Sequence, residues 1–397
     1  HADHIEGTRR SVGYALTGLT SWTVGLVTVV GVLVFPEAWL GVTLAFLGFF
    51  LLRAMVVLVY AIIGDRTCRA WEQTDWNEDD HVVHSGGLAP ADVRHIVLVP
   101  NYKEPLDVLR RTLDALAAQH RAAERLIVVL GMEEREPDAA VKGRLLAEEY
   151  AGHFLETVVT VHPAGLPGEV PGKSSNQAWA LQIVSATVTG KLALDTDVVT
   201  ISSCDADSVI HPSYFAAVSR LFAEADDRHS RFWHAPMQYY NNIWRVPAPI
   251  RFTTWFGQAW LRANLTMPFY ASLPISTYTL SLRLALDAGG WDPGVIPEDW
   301  HMYLRCFFAR DERVGLTPVF LPTNGDAPEG DTWLAGMITA FQQSVRHAWG
   351  AEDVGYVVHK MSERRFTWRA ALRFGQVYSD HVLRAAGWFL IMGAYLL

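Results

Sequence analysis

Val198-Val-Thr-Ile-Ser-Ser-Cys-Asp-Ala-Asp207 is the stretch that decides the fold. A short β-branched run reads as a buried strand, and here it ends in two aspartates. The same kind of run recurs upstream in His95-Ile-Val-Leu-Val-Pro100, Arg125-Leu-Ile-Val-Val-Leu130 and Glu156-Thr-Val-Val-Thr-Val161. Amphipathic stretches follow these three runs and predict helices over 106–120, 139–151 and 175–185. The alternation predicts an α/β domain with a mainly parallel sheet covered on both faces. Ligands of such sheets bind at the carboxyl ends of the strands. At those ends stand Pro100-Asn-Tyr-Lys-Glu-Pro105, Gly131-Met-Glu-Glu-Arg135 and Asp205-Ala-Asp207. Acidic groups converging on an anionic ligand call for a divalent cation, Mg²⁺ or Mn²⁺, bridging carboxylates to phosphates. A second Asp-x-Asp, Asp195-Thr-Asp197, precedes its strand, so it falls at the opposite end of the sheet and is expected to cap a turn.

Outward from this domain the chain turns apolar. Val12–Phe35 carries no charge, and Ala38–Gly64 is interrupted only by Arg53. The first run is 24 residues, too long for the core of a cleaved signal peptide and enough to cross a hydrocarbon layer of about 30 Å. The two predict a transmembrane hairpin over residues 1–64. Arg9 and Arg10 before it and Arg66 and Arg69 after it, with Glu37 in the connection, place both ends and the α/β domain in the cytoplasm, at the plasma membrane. Arg53 lines a polar cavity or makes an interhelical or snorkelling contact; the sequence leaves both open. A polar, acidic linker covers 65–94, including Asp79 and Asp80, and the catalytic domain 95–330. Ile250–Tyr270 and Phe366–Arg384 mix aromatics with arginine and predict interfacial helices, the first inserted at 250–275, the second within 331–384. A further transmembrane helix begins over 385–397, and the chain is expected to continue past it.

Composition narrows the classes. The chain has 397 residues, Lys+Arg 33 against Asp+Glu 42, a formal net charge of −9, and 50% hydrophobic residues. Nucleic-acid binding and disorder are thereby excluded. Cys68, Cys204 and Cys306 are too scattered for a disulfide framework or a metal knuckle and read as reduced thiols.

The ordered set VPNYKEP, GKSSNQAWAL, the strand running into DAD, and GGWDPGVIPEDW resembles family 2 glycosyltransferases of the GT-A fold. The flanking helices and a late Gln-x-x-Arg make it similar to the cellulose, chitin and hyaluronan synthase branch. The resemblance implies the following roles. Asp205 and Asp207 hold the metal, with Asp205 also facing the donor. Asp299, next to Glu298, is the base that deprotonates the acceptor, although Pro297 stands where the family has Thr. Lys173 and Asn176 meet the diphosphate. Lys173 is one of only five lysines against 28 arginines. Tyr102, Glu104 and Glu133 read the nucleotide. Gln343, Arg346 and Trp349 serve the diphosphate and acceptor, but His347 occupies the family's Trp position and Trp349 lies two residues on, about 200° around a helix.

The implied activity is inverting transfer from a nucleotide-diphosphate sugar, a UDP-sugar foremost, to a growing polysaccharide. Single-sugar transfer to a lipid such as a polyprenyl phosphate is the alternative, and an inactive membrane scaffold the second. Membrane lipid is an expected partner, and an oligomer or partner subunit stays open.

Overall fold

The computed structural model describes residues 2–78, 80–84 and 87–394, with backbone alone for 2–14, 382–386, 388 and 391–394. Asp79 of the expected linker and residues 395–397 of the expected last helix lie outside the described residues. The chain divides into two compact units, His1–Val59 with Ser344–Leu397, and Tyr60–Gln343.

In the first unit, α1 (Ala2–Val34) packs along α12 (Glu352–Ser362) and α13 (Trp368–Ala394), and the Thr20 and Tyr378 hydroxyls are hydrogen-bonded. Helix α2 (Pro36–Glu72) starts in this unit and ends in the other, and α11 (Trp333–Ala348) also crosses the division. Phe35 separates α1 from α2, and Pro36 begins α2, a first-turn position where its missing N–H costs nothing. Ala15–Val34 and Pro36–Glu72 are long and apolar enough to cross a membrane. Helix α2 continues beyond Gly64 into charged turns, where Asp65 pairs with Arg69 at 3.0 Å, an i,i+4 contact.

The second unit is the α/β domain. In chain order it runs β1 (Arg94–Pro100), α3 (Leu106–Ala117), the short α4 (Ala122–Arg125), β2 (Leu126–Glu133), α5 (Ala139–Glu149), β3 (Glu156–His162), α6 (Lys173–Ala186) and β4 (Val199–Ser203). Then come α7 (Tyr214–Glu224), β5 (Arg231–His234), β6 (Met237–Gln238), α8 (Ala248–Thr266), β7 (Tyr278–Ser281), α9 (Leu282–Asp287), α10 (Asp299–Ala309), β8 (Gly315–Pro318) and β9 (Thr323–Asn324). Among the described residues the main sheet has seven strands, ordered β3-β2-β1-β4-β7-β5-β8, and β6 pairs with β9 beside it. Strands β3, β2, β1 and β4 are parallel; β7 alone runs antiparallel to its neighbours. Every residue of β2 and β4 is buried, which explains why their sequences are continuous apolar and small-residue runs rather than alternating ones. Leu113, Val97, Val128, Leu130, Phe215, Phe222 and Trp233 pack one continuous core against the sheet.

This topology fixes where a ligand can sit. The chain lays β2 and β3 on one side of β1, then returns to place β4 on the other. The order therefore reverses between β1 and β4, which opens a crevice beyond their carboxyl ends. The antiparallel β7 brings its first residue, Tyr278, opposite Ser203 at that same edge.

Candidate active site

Asp205 and Asp207 leave the end of β4 directly into the crevice. Lys173, the first residue of α6, reaches across and pairs with Asp205 Oδ1 at 2.6 Å and with Glu298 Oε1. Its Nζ also donates to the Ser276 carbonyl at 3.0 Å. Burial draws the Lys173 ammonium down, but the two carboxylates outweigh it and hold the group charged, well above the ordinary lysine range.

Ser276 ties the cluster together. Its hydroxyl donates to Asp205 Oδ2, and its backbone N–H donates to Asp299 Oδ2 at 3.2 Å. Its φ of +62° lies in the left-handed region, a strained backbone for a non-glycine residue that aims its N–H and hydroxyl at two different carboxylates. Asp299 opens α10, and its other oxygen accepts from the Trp300 backbone N–H at 2.8 Å. Burial raises the Asp299 carboxyl and Lys173 opposes the rise. Glu298 is held differently. Its Oε2 accepts from the Tyr278 hydroxyl at 2.8 Å, and that hydroxyl accepts from Trp291 Nε1 at 2.9 Å. Burial pushes Glu298 up to about 7 despite Lys173 beside it. Glu298 thus anchors the lysine from within the protein, while Asp299 is carried at the helix start by two backbone donors.

Asp207 Oδ2 accepts from the Asp326 backbone N–H at 3.0 Å, and Asp326 is itself paired with Arg111 at 2.6 Å. Burial, and then the neighbouring Asp205, push the Asp207 carboxyl up to about 7. Among the described residues no cluster of three or more His, Cys, Asp or Glu forms a closed metal cage. Two carboxylates crowded at a crevice, one of them with its charge opposed by the other, nonetheless fit a hard divalent ion. Mg²⁺ in particular is bound by one or two carboxylates and completes its shell with water and substrate phosphates.

A second group of expected residues gathers at the ends of β1 and β2. The Glu104 carboxylate accepts from the Tyr102 backbone N–H, and burial raises that carboxyl. The Arg135 guanidinium lies 4.4 Å from the centre of the Tyr102 ring and pairs with Glu133 at 2.6 Å. Asn176 is fully buried; its Nδ2 donates to the Gly131 carbonyl at 2.8 Å and to Glu133 Oε1 at 3.4 Å. Gly131 makes that fit possible, because a Cβ there would stand 2.5 Å from Asn176 Oδ1. Lys173 and Asn176, one turn apart on α6, thereby join the two groups.

Gln343 is half-buried in α11, in the same unit as the cluster, and among the described residues it makes no hydrogen bond to it. Arg346 and Trp349 are exposed and belong to the other unit. The second Asp-x-Asp behaves as a surface feature. Asp195 caps the turn through the Asp197 N–H, and Asp197 pairs with Arg283. His211 accepts from the Ser213 N–H at the start of α7.

Sequence reasoning missed Ser276, Tyr278, Trp291, Asp326 and Tyr239. Burial, and then the charges of Asp205, Asp207 and Asp299, raise the Tyr239 hydroxyl. No local signal marks Ser276 or Tyr239. Tyr278 begins the short strand Tyr278–Ser281, which has only one β-branched residue, and the antiparallel course of β7 delivers it to this edge.

A largely parallel α/β sheet whose switch-point edge carries paired aspartates, a lysine and a helix-start carboxylate defines a glycosyltransferase of GT-A type. Residues 93–307, just over half of the chain, match the model for glycosyltransferase-like family 2, and the protein belongs to that family. No curated protein matches the chain. Among solved structures it is similar to the mannosyltransferase PcManGT from Pyrobaculum calidifontis, in complex with GDP-Man and Mn²⁺, at 16% identity and a TM-score of 0.43 over 90% of this chain and 95% of that one. It is also similar to S. aureus TarS 1-349 in complex with UDP-GlcNAc, at 15% identity and a TM-score of 0.39 over 76% of this chain and 89% of that one.

Proposed function

We propose that this glycosyltransferase moves a sugar from a nucleotide-diphosphate donor, a UDP-sugar foremost, to a growing polysaccharide at the membrane, with inversion at the anomeric carbon. The observation that carries the reading is the arrangement of Asp299 and Asp205 around Ser276, with Lys173 between Asp205 and Glu298. In this reading Asp205 and Asp207 would hold a divalent ion, Mg²⁺ or Mn²⁺, which would supply charge neutralisation for a departing diphosphate. The Lys173 ammonium at the N-terminal end of the 14-residue α6 adds positive charge on the diphosphate side. Asp299 takes the proton from the attacking acceptor hydroxyl. Its two backbone donors fix the direction from which it can do so, and inversion requires that direction to oppose the leaving group. Tyr102, Glu104 and Glu133 form the nucleotide side, with the Arg135–Tyr102 stack offering a flat cationic face to a base.

The membrane setting is supported by α2, whose Leu51, Leu52 and Leu58 side chains are all more than 60% exposed, an arrangement that water disfavours. With the hairpin crossing the membrane, the flanking arginines favour a cytoplasmic catalytic domain. In this reading Gln343, Arg346 and Trp349 keep the roles that the resemblance implies, at the diphosphate and the acceptor. A second reading, transfer of one sugar to a lipid acceptor, is favoured by His347 standing where the polysaccharide synthases have Trp.

The deciding experiment is a donor screen with the purified protein, UDP-, GDP- and dTDP-sugars, Mn²⁺ or Mg²⁺ and a lipid extract, with the products sized. The expected result is release of nucleotide from one donor, reduced about 10²- to 10⁴-fold in Asp299→Asn. A polymeric product supports the first reading and a glycolipid the second. Release that survives Asp299→Asn unchanged removes Asp299 as the base.

A further inference from the structure

Helix α2 is 37 residues long, about 55 Å at the α-helical rise, whereas a hydrocarbon core needs about 30 Å. Its apolar run stops at Gly64, and Asp65, Arg66, Arg69 and Glu72 occupy the closing turns. There α8 lies against it. Gly64 permits the approach, since a Cβ at that position would stand 2.5 Å from Thr266 Oγ1 and 2.8 Å from Arg262 Cγ. The two helices enclose an open cavity of about 430 Å³ lined by Ala61, Ile62, Asp65, Arg66, Arg69 and Arg262.

The charge in this cavity is unbalanced. Asp65 is shared: Oδ1 pairs with Arg262 and Oδ2 with Arg69, both at 3.0 Å. Among the described residues no carboxylate pairs with Arg66. Three guanidinium groups therefore face one carboxylate. Arg262 is 14% exposed, and its Nε is buried with no hydrogen-bond acceptor among the described residues. A second anion is the group that would complete this arrangement. Guanidinium forks match the oxygens of a phosphate in pairs, and Ala61 and Ile62 supply an apolar wall on the side that leads into the hydrophobic part of α2. Further along α8, Phe252, Trp255 and Phe256 are exposed, which suits a helix lying at a headgroup boundary.

We infer that the cavity between α2 and α8 binds a phosphate-bearing anion, and that its position at the end of an apolar helix directs it to the headgroup of an anionic lipid. The site shares no residue with the donor site and rests on the membrane reading of α2 only for the source of the phosphate.

The test uses the full chain in detergent and native mass spectrometry of bound molecules. The three probes are dioleoyl phosphatidylglycerol, dioleoyl phosphatidylcholine and glycerol 3-phosphate. The wild type is expected to retain phosphatidylglycerol at least about tenfold better than phosphatidylcholine, since a choline offsets the phosphate charge. The double variant Arg66→Gln/Arg69→Gln should weaken that retention about tenfold or more, and Ala61→Phe, which fills the cavity and keeps its charge, should weaken it too. Glycerol 3-phosphate competing at the concentration of the lipid supports the same site with a free phosphate compound as occupant; failure to compete supports the lipid headgroup. Equal retention of the two lipids by the wild type, or phosphatidylglycerol retention unchanged in both variants, overturns the inference. Nucleotide release from the donor, measured in parallel, verifies that each variant is folded and keeps a failure here separate from a failure of the transferase reading.

Discussion

Strand β4 is bracketed by two copies of the same tripeptide pattern, and they meet opposite fates. Asp195-Thr-Asp197 precedes the strand; one aspartate caps a turn and the other pairs with Arg283 on the surface. Asp205-Ala-Asp207 follows it, and there the carboxylates are drawn into a network of Lys173, Ser276 and the Asp326 backbone. Burial and mutual repulsion push Asp207 up to about 7. The residue types are identical, so the chemistry comes from which end of a parallel strand they occupy. At the carboxyl end neighbouring loops converge and like charges are forced together; at the amino end each aspartate finds an ordinary surface partner.

That contrast can be broken most forcefully at Asp207. Asp207→Asn, or removal of divalent ions with a chelator, is expected to reduce nucleotide release to background, and restored activity on adding Mn²⁺ or Mg²⁺ to the chelated enzyme checks the second half. Lys173→Met comes next. It leaves Asp205 and Glu298 facing each other without their cation, and the loss of one partner from a largely buried cluster should cost roughly 3 kcal/mol of stability. Thermal unfolding in detergent reads this out, and a melting temperature equal to wild type would mean that the pair contributes nothing.

Acid sharpens the comparison in a third way, through a neutral group in the same sheet. His234 is buried on β5, its Nδ1 donates to the Thr277 carbonyl, and burial lowers its pKa to about 4. The folded protein keeps this histidine neutral, whereas the unfolded chain takes up a proton below about pH 6.5. Unfolding is therefore favoured as pH falls. The stability is complete above about 6.5 and declines until about pH 4 by an amount on the order of 3 kcal/mol. His234→Asn, which keeps an N–H for Thr277, should flatten that part of the pH–stability curve; an unchanged slope would assign the acid sensitivity elsewhere. The smallest effect belongs to the other tripeptide. Asp197→Asn removes a surface pair with Arg283 and should leave nucleotide release within about twofold of wild type and change stability by less than about 1 kcal/mol.

Much of this was legible in the chain. The strands expected at 95–100, 125–130, 156–161 and 198–202 appear as β1 to β4, each within a residue or two at its start, because short apolar and β-branched runs mark strands whether buried throughout, as in β2 and β4, or half-buried at the sheet edge, as in β3. The end of β2 is the largest difference: it runs on to Glu133, since Met132 and Glu133 still pair with Val161 and His162 of β3. Asp205 and Asp207 could be named from their position after β4, whereas Asp299 and Glu298 were named only through the resemblance of the GGWDPGVIPEDW stretch to the family motif. Glu298 was visible as a neighbour of Asp299 but not as the anchor of Lys173, because that role depends on Tyr278 and Trp291 meeting it in the core.

The sequence alone determined the α/β alternation, the two apolar runs before it and which acidic pair stands at the carboxyl end of β4. All three follow from local hydrophobic pattern and from the direction of a strand, and none requires knowing a distant partner. The tertiary structure alone decided that Ser276, 71 positions from Asp205, bridges it to Asp299, that Lys173 and Asn176 connect the two halves of the site, and that Arg262 joins Arg66 and Arg69 around one shared aspartate. Those juxtapositions depend on sheet order and helix packing. They are set by the burial of the whole core, and no short stretch of chain encodes them by itself.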